Sequence, residues 1–164
     1  MGTGRELKCK ECDKTFNLNF GIGFLYPDAC RQARKAALNG ELGEEWKKII
    51  SENPYYVVET KRYLYWCPNC HCIDFGEELS IYKPKDLESL LKQQRGEKTV
   101  EEWGYDSWGV NEETYELVKE FVRECPRCKT KMDRKDEEEI DGLELVCPEC
   151  GGKLEDTGNC IMWD

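Results

Sequence analysis

Histidine is nearly missing from this chain: among 164 residues there is one, His71. A zinc site built on imidazoles is therefore excluded. A Ser/His/Asp device would have a single base, placed beside two cysteines, with only Ser51, Ser80, Ser89 and Ser107 to serve. Long apolar runs are missing too, for no stretch approaches the roughly 18 residues of a membrane helix. Residues 1–12, MGTGRELKCKEC, contain no apolar signal-peptide core. Positive charge is in deficit, 24 Lys and Arg against 34 Asp and Glu for a net −10, which disfavours nonspecific attraction to nucleic-acid phosphates. Hydrophobic residues make up 39%, modest for a chain relying on an apolar core alone. A cytoplasmic, membrane-free protein with another source of stability is the expectation.

That source is visible in the cysteines, of which there are eleven. Eight form Cys-x-x-Cys pairs: Cys9/Cys12, Cys67/Cys70, Cys125/Cys128 and Cys147/Cys150. A secreted disulfide scaffold lacks this repeated spacing, so thiolate metal ligation in a reducing compartment is the reading. Tetrahedral zinc takes four sulfurs at about 2.3 Å, and a two-residue gap lets one tight turn present two of them while its amides point at the sulfur. Four pairs therefore make two sites. The spacing Cys125-x2-Cys128-x18-Cys147-x2-Cys150 predicts one compact site, leaving Cys9/Cys12 with Cys67/Cys70 for a second across a long insertion. Exchange of the knuckles between modules is the alternative connectivity. Structural zinc contributes about 10–16 kcal/mol in finger peptides, coupled to folding, so metal would supply what the core does not.

Turn chemistry agrees. Pro68, Pro126 and Pro148 lie inside knuckles, where a fixed φ preorganises the turn. The second cysteines are followed by Asp13, His71, Lys129 and Gly151; glycine is permissive for positive φ, Asp and His are enriched there, and lysine has no such preference. The motif CPRC…CPECGG resembles the zinc-ribbon and rubredoxin-like superfamily, closely over residues 125–155 and loosely over 9–75. The family pattern CPxCG is broken at Asp13 and His71. The resemblance implies a ribbon fold and two Zn2+ ions, with iron possible at one site, and leaves any substrate open.

The expected fold class is α+β, two small zinc-ribbon β modules joined by helices and an aromatic linker. The division read from the sequence is 1–96 for a first ribbon with a helical insertion, 97–124 for a linker and connecting helix, and 125–164 for a compact C-terminal ribbon. Phe16, Leu18 and Phe20 alternate as in a half-buried strand, and Gly21-Ile22-Gly23 is a bend rather than a phosphate loop. Helices are expected over 28–39, where Ala29, Ala33, Ala36 and Ala37 form a small face, and over about 43–52 with Trp46, Ile49 and Ile50 inward before Pro54. Residues 55–66 and the alternation Ile73, Phe75, Leu79, Ile81 predict a hairpin tipped by Cys67–Cys70. A short helix should start at Pro84 with Leu87, Leu90 and Leu91 on one face and Gly96 ending it. Asn111 should cap a last helix burying Tyr115, Val118, Phe121 and Val122. C-terminal strands are expected near 130–135, 140–146, 153–157 and 160–163, with the acidic run in a solvated turn.

The remaining chemistry reads plainly. His71 is a turn residue and Cys72 an inward strand residue rather than alternative ligands; Cys30 is a small hydrophobe, Cys160 lies in a closing strand, and the three spare cysteines do not make a third site. Glu77/Glu78 and Glu101/Glu102 are solvated acidic pairs. Two closed four-thiolate sites leave no open coordination position, so enzymatic activity is not expected. The leading function is a noncatalytic adaptor or regulatory module with a protein partner anchored by Trp103, Tyr105 and Trp108, which could equally pack the modules together. The alternatives are rubredoxin-like electron transfer and nucleic-acid association through Arg127, Lys129, Lys131, Arg134 and Lys135.

Overall fold

The structure, a computed structural model, describes residues 2–89 and 109–163. In chain order the elements are β1 (Gly2–Cys9), β2 (Thr15–Phe20), α1 (Tyr26–Leu38), α2 (Glu44–Glu52), β3 (Val57–Val58), β4 (Arg62–Trp66), β5 (Ile73–Glu77), β6 (Ile81–Pro84), β7 (Tyr115–Lys119), β8 (Asp133–Lys135), a 3-10 turn (Glu137–Glu139) and β9 (Leu154–Trp163). The class is α+β, with small three-stranded sheets ordered β2-β1-β9, β5-β4-β8 and β3-β6-β7. The contacts divide the chain into two compact units that interleave along it. One takes in the described residues of Met1–Gly23, Lys61–Glu77 and Val122–Asp164, the other those of Phe24–Thr60 and Glu78–Phe121. The division therefore does not run at residues 96 and 124, as consecutive modules would require. No described helix is long and apolar enough to cross a membrane.

In the first unit, β1 runs antiparallel to β2 with Leu7 opposite Phe16, Arg5 opposite Leu18 and Thr3 opposite Phe20, so the alternating apolar residues of β2 share one face. That face packs with Leu64, Ile73, Ile140, Leu145 and Leu154. The glycine-rich β1 gave no strand signal in the sequence. At Gly4 the reason is steric, since a Cβ would lie 2.5 Å from the Leu18 carbonyl oxygen of β2. Strand β9 covers the other edge of β1 as one element, where two strands were expected. Its register jumps from Asp156 opposite Leu7 to Cys160 opposite Arg5, a bulge with Gly158 at φ +78°. The Glu6 carboxylate pins that bulge by accepting from Thr157 Oγ1 (2.9 Å) and Asn159 Nδ2 (2.8 Å).

The second sheet of this unit explains the apolar run in RYLYW. All three central residues of β4 are buried, Leu64 toward the cluster just described and Tyr63 and Tyr65 toward Cys67, Cys72, Cys125 and Met132. A strand covered on both faces loses the polar alternation of a half-exposed one. The β4–β5 hairpin, with Leu64 opposite Phe75 and Trp66 opposite Ile73, is the expected one, and the bend at Gly21 is tied to Arg62 by two backbone hydrogen bonds of 3.0 and 2.9 Å. The stretch expected as a strand over 140–146 is instead turn and loop that joins a ladder only at Val146.

The second unit is built on α1 and α2, close to their expected bounds. The small face of α1 (Ala33, Ala37) meets Trp46 and Ile50 of α2, with Val58 and Ile81 below. Trp46 packs edge-on to Phe121 at 5.8 Å and donates its indole N–H to the Leu79 carbonyl at 2.8 Å. Arg34 ties the two helices by donating to the carbonyls of Tyr56 (2.8 Å) and Ile50 (3.3 Å). A buried carboxylate, Glu59, accepts from the Tyr26 hydroxyl at 2.8 Å and from the amides of Thr60 (2.7 Å) and Val110 (3.2 Å), so its polar atoms are satisfied inside the unit. Cys30, fully buried beside them, lies 3.2 Å from the Thr60 hydroxyl.

Two helix expectations are corrected here. Pro84 closes strand β6, opposite Tyr115, and the helical residues begin at 87 with the Asp86 carboxylate accepting the Ser89 amide at 2.9 Å. Leu90, Leu91 and Gly96 lie outside the described residues. Asn111 does cap, but it caps a turn, accepting the amides of Glu113 (3.0 Å) and Thr114 (2.9 Å). The chain then enters β7, which pairs with β6 and buries Tyr115 while Leu117 and Val118 stay exposed. Tyr115, Val118, Phe121 and Val122 carry a helical spacing, but the free edge of β6 offers this segment backbone partners and the β-branched and aromatic side chains accept them.

Candidate metal centre

Each Cys-x-x-Cys turn is closed by the same backbone device. The first cysteine's amide donates five residues ahead: Cys9 to Lys14 O (2.8 Å), Cys67 to Cys72 O (3.0 Å), Cys125 to Thr130 O (2.9 Å) and Cys147 to Gly152 O (2.8 Å). In three of them the residue after the second cysteine donates back to the first cysteine's carbonyl: His71 (2.9 Å), Lys129 (3.0 Å) and Gly151 (3.0 Å). This closure puts the residue after the second cysteine in the left-handed region at all four knuckles: Asp13 at φ 57°, His71 at 58°, Lys129 at 62° and Gly151 at 83°. Lys129, a residue type with no preference for that region, is held there by the knuckle itself at a cost of about 1–2 kcal/mol.

Two groups of four sulfurs result, and their membership differs from the expected pairing. Cys9 and Cys12 join Cys147 and Cys150, while Cys67 and Cys70 join Cys125 and Cys128, with the sulfurs of each group all within 4.8 Å of one another. The exchanged connectivity is the one adopted. Strand pairing decides it. Strand β9, leaving the fourth knuckle, lies against β1, entering the first, with Cys9 opposite Leu154. Strand β8, leaving the third, lies against β4, entering the second, with Trp66 opposite Asp133. The groups are nested along the chain: an outer one closes over residues 13–146 and an inner one over residues 71–124.

The geometry is that of a cage for one soft cation. Four sulfurs about 2.3 Å from a tetrahedral centre stand about 3.8 Å apart. Observed separations are 3.4 Å for Cys9–Cys150 and 3.9 Å for Cys12–Cys147 in the outer group. In the inner group they are 3.4 Å for Cys67–Cys128, 3.5 Å for Cys70–Cys125 and 3.6 Å for Cys70–Cys128. All lie far beyond a disulfide bond of about 2.05 Å, and every cysteine is free.

The electrostatics point the same way. Amides of Cys12 and Glu11 aimed at the Cys9 sulfur lower its thiol to about 7 against the effect of burial. The Thr130 hydroxyl, 3.3 Å away, together with the Thr130 amide and the Asn69 side chain, brings Cys128 down to about 5. Their neighbours move the other way. Burial and the adjoining sulfurs hold Cys70 up to about 12. Cys150 also rises to about 12, because Cys9, burial and Cys12 outweigh the Gly152 amide. Four sulfurs this close cannot all be ionised on their own, whereas a divalent cation among them would remove that conflict. The Thr130 hydroxyl is a participant with no signal in the sequence, since nothing in the spacing marks a threonine two residues past a cysteine.

The other candidates fall outside the two groups. The His71 ring stacks on Trp66 with centroids 5.2 Å apart, and its Nδ1 lies 2.9 Å from a Glu144 carboxylate oxygen. Cys72 is buried among the inner ligands, its thiol pushed up to about 12 by burial, with Sγ directed at the Ile73 carbonyl at 3.6 Å. Among the described residues Cys30, Cys72 and Cys160 join no group of potential ligands. The basic run is drawn partly into internal contacts: Arg127 lies over Gly151, Arg134 stands 4.6 Å above the Tyr63 ring, and Lys135 is 4.0 Å from Glu139. Ser80 is buried and accepts the Phe121 amide at 3.0 Å, Ser51 bonds its own helix, and neither meets a base. Glu78 is buried with the Tyr82 hydroxyl donating to it, and Glu77 pairs with Arg62 at 3.7 Å, so this acidic pair is not the solvated one expected. Trp103, Tyr105, Trp108, Glu101, Glu102 and Ser107 lie outside the described residues. The functional reading rests on this geometry: no protein-family model, curated protein or solved structure significantly matches the chain.

Proposed function

We propose that this is a noncatalytic zinc protein, holding one structural Zn2+ in each four-cysteine group and serving as an adaptor or regulatory module for a protein partner. The observation that carries the metal reading is the convergence of eight sulfurs into two groups at tetrahedral spacing. Thiolate sets of four favour zinc or iron over harder cations. Four protein ligands fill a tetrahedral ion, whereas a catalytic zinc keeps one position for water, so the sites support stability rather than chemistry. A protein partner is favoured over nucleic acid by the net charge of −10, which filled four-thiolate sites would deepen by about 2 each, and by the internal contacts of Arg127, Arg134 and Lys135. Exposed Leu117 and Val118 on β7 supply apolar surface for such a partner. Iron is the second reading, because a four-thiolate set takes either ion.

Metal analysis of the natively purified protein tests this. Two zinc ions per chain in a colourless solution are expected. Stoichiometric iron with visible absorption would replace zinc by the electron-transfer reading, and a protein with neither metal would overturn both. Removal of zinc by chelator should unfold the first unit, read as loss of its tertiary signal in circular dichroism.

A further inference from the structure

We propose that the outer centre is a metal-exchange site and the inner centre its permanent template, an inference that rests on both groups binding metal. The two cages share a donor set and differ in their surroundings. All four inner sulfurs belong to residues packed in or against the cluster of Tyr63, Tyr65 and Met132. In the outer centre Cys9, Cys12 and Cys147 are packed in the same way, and Cys150 is not. Cys150 is the one exposed member of the eight. Its sulfur accepts the Gly152 amide at 3.3 Å, whereas the Cys128 sulfur at the matching inner position also lies 3.3 Å from the Thr130 hydroxyl oxygen.

The knuckle that carries Cys150 is held in place by both knuckles of the inner centre. The Val146 amide donates to the His71 carbonyl at 3.0 Å and the Val146 carbonyl accepts the Ile73 amide at 3.2 Å, so the residue before Cys147 is clamped by the residues that follow Cys70. From the third knuckle, the Arg127 guanidinium lies against Gly151 so closely that a Cβ there would stand 2.7 Å from one of its nitrogens. Filling the inner centre therefore fixes the support on which the fourth knuckle forms. Chain entropy acts in the same direction, because closing over residues 13–146 rather than 71–124 costs roughly fourfold in the closure equilibrium. The inner centre fills first and the outer centre empties first.

Exchange at the outer centre is ligand substitution. With a metal held by Cys9, Cys12, Cys147 and Cys150, the exposed Cys150 sulfur would be the first that an incoming thiolate could displace, taking up a proton from water as it left, and the other three sulfurs would follow. No electron moves. The acceptor is defined by that chemistry as a thiol-bearing or chelating molecule able to reach one exposed sulfur.

The test treats the zinc-loaded full chain with a chromogenic chelator and, in parallel, with N-ethylmaleimide followed by peptide mass spectrometry. Expected are two release phases differing at least tenfold in rate, with Cys150 alkylated in the first phase and Cys67, Cys70, Cys125 and Cys128 only in the second. Arg127→Ala should speed the first phase at least threefold. The double substitution Cys9→Ser and Cys12→Ser should retain a single, slowly released ion. Both ions leaving at one rate, or first-phase labelling of the inner cysteines, would overturn the exchange role while leaving the metal reading intact. A chain without metal whose eight cysteines react alike would overturn the metal reading itself.

Discussion

Which knuckles share a metal can be decided without a further structure, by removing one cysteine from each of two knuckles and counting ions. In Cys9→Ser with Cys147→Ser, both losses fall in the outer group, so one intact four-thiolate group remains. In Cys9→Ser with Cys67→Ser, one loss falls in each group. If about 10–16 kcal/mol of structural zinc binding is shared equally, each thiolate contributes about 2.5–4 kcal/mol. Two losses in one group then weaken that site by about 5–8 kcal/mol, on the order of 10^4-fold or more, while its neighbour keeps its own four ligands. One loss in each group weakens both sites by roughly 10^2- to 10^3-fold. Native mass spectrometry at a buffered free-zinc concentration about tenfold above the wild-type dissociation constants should show one ion on the first variant and none on the second. The opposite pattern, one ion retained by the variant at positions 9 and 67 and none by that at 9 and 147, would sink the nested connectivity and restore the consecutive one.

Two further outcomes concern the second unit. Trp46→Ala removes a side chain 8% exposed that packs edge-on to Phe121 and donates to Leu79, and should cost about 3–5 kcal/mol in chemical denaturation while both ions remain bound; a loss below about 1 kcal/mol would contradict this packing. Burial holds the Cys30 thiol up to about 12, against 9 for a free thiol, so the unfolded chain gives up this proton first. Stability present below pH 9 is then lost progressively as pH rises toward 12, with Tyr26, also held protonated by burial and by Glu59, adding to the slope. Cys30→Val should flatten that alkaline limb, and an unchanged slope would show that the thiol does not titrate with unfolding.

How legible was this molecule in its sequence? The helices over 26–38 and 44–52, the β2 strand and the β4–β5 hairpin were legible because their signals are local: an alanine face, a tryptophan before a proline, alternation, and a Cys-Pro-Asn-Cys tip. Strand β1 was not, because Gly4 is there for the approach of β2 and Gly2 for the Trp163 ring of β9, which are properties of the paired strands. Strand β7 was misread for the complementary reason: a short segment with both periodicities follows whichever partner is free, and β6 was free. The exposed apolar residues of β7 and the satisfied carboxylate of Glu59 likewise have no signature along the chain.

The cysteines mark the same boundary between local and tertiary information. By itself the sequence determined that there are four thiolate knuckles, three of them shaped by a proline, because a two-residue gap lets one tight turn present two sulfurs. It could not determine their partners. Four knuckles admit three pairings, and the 18-residue spacing between the third and fourth suits a compact ribbon that the chain does not form. The choice was made by tertiary structure, by β9 lying on β1 and β8 on β4, since sulfurs on turns go where their strands take them.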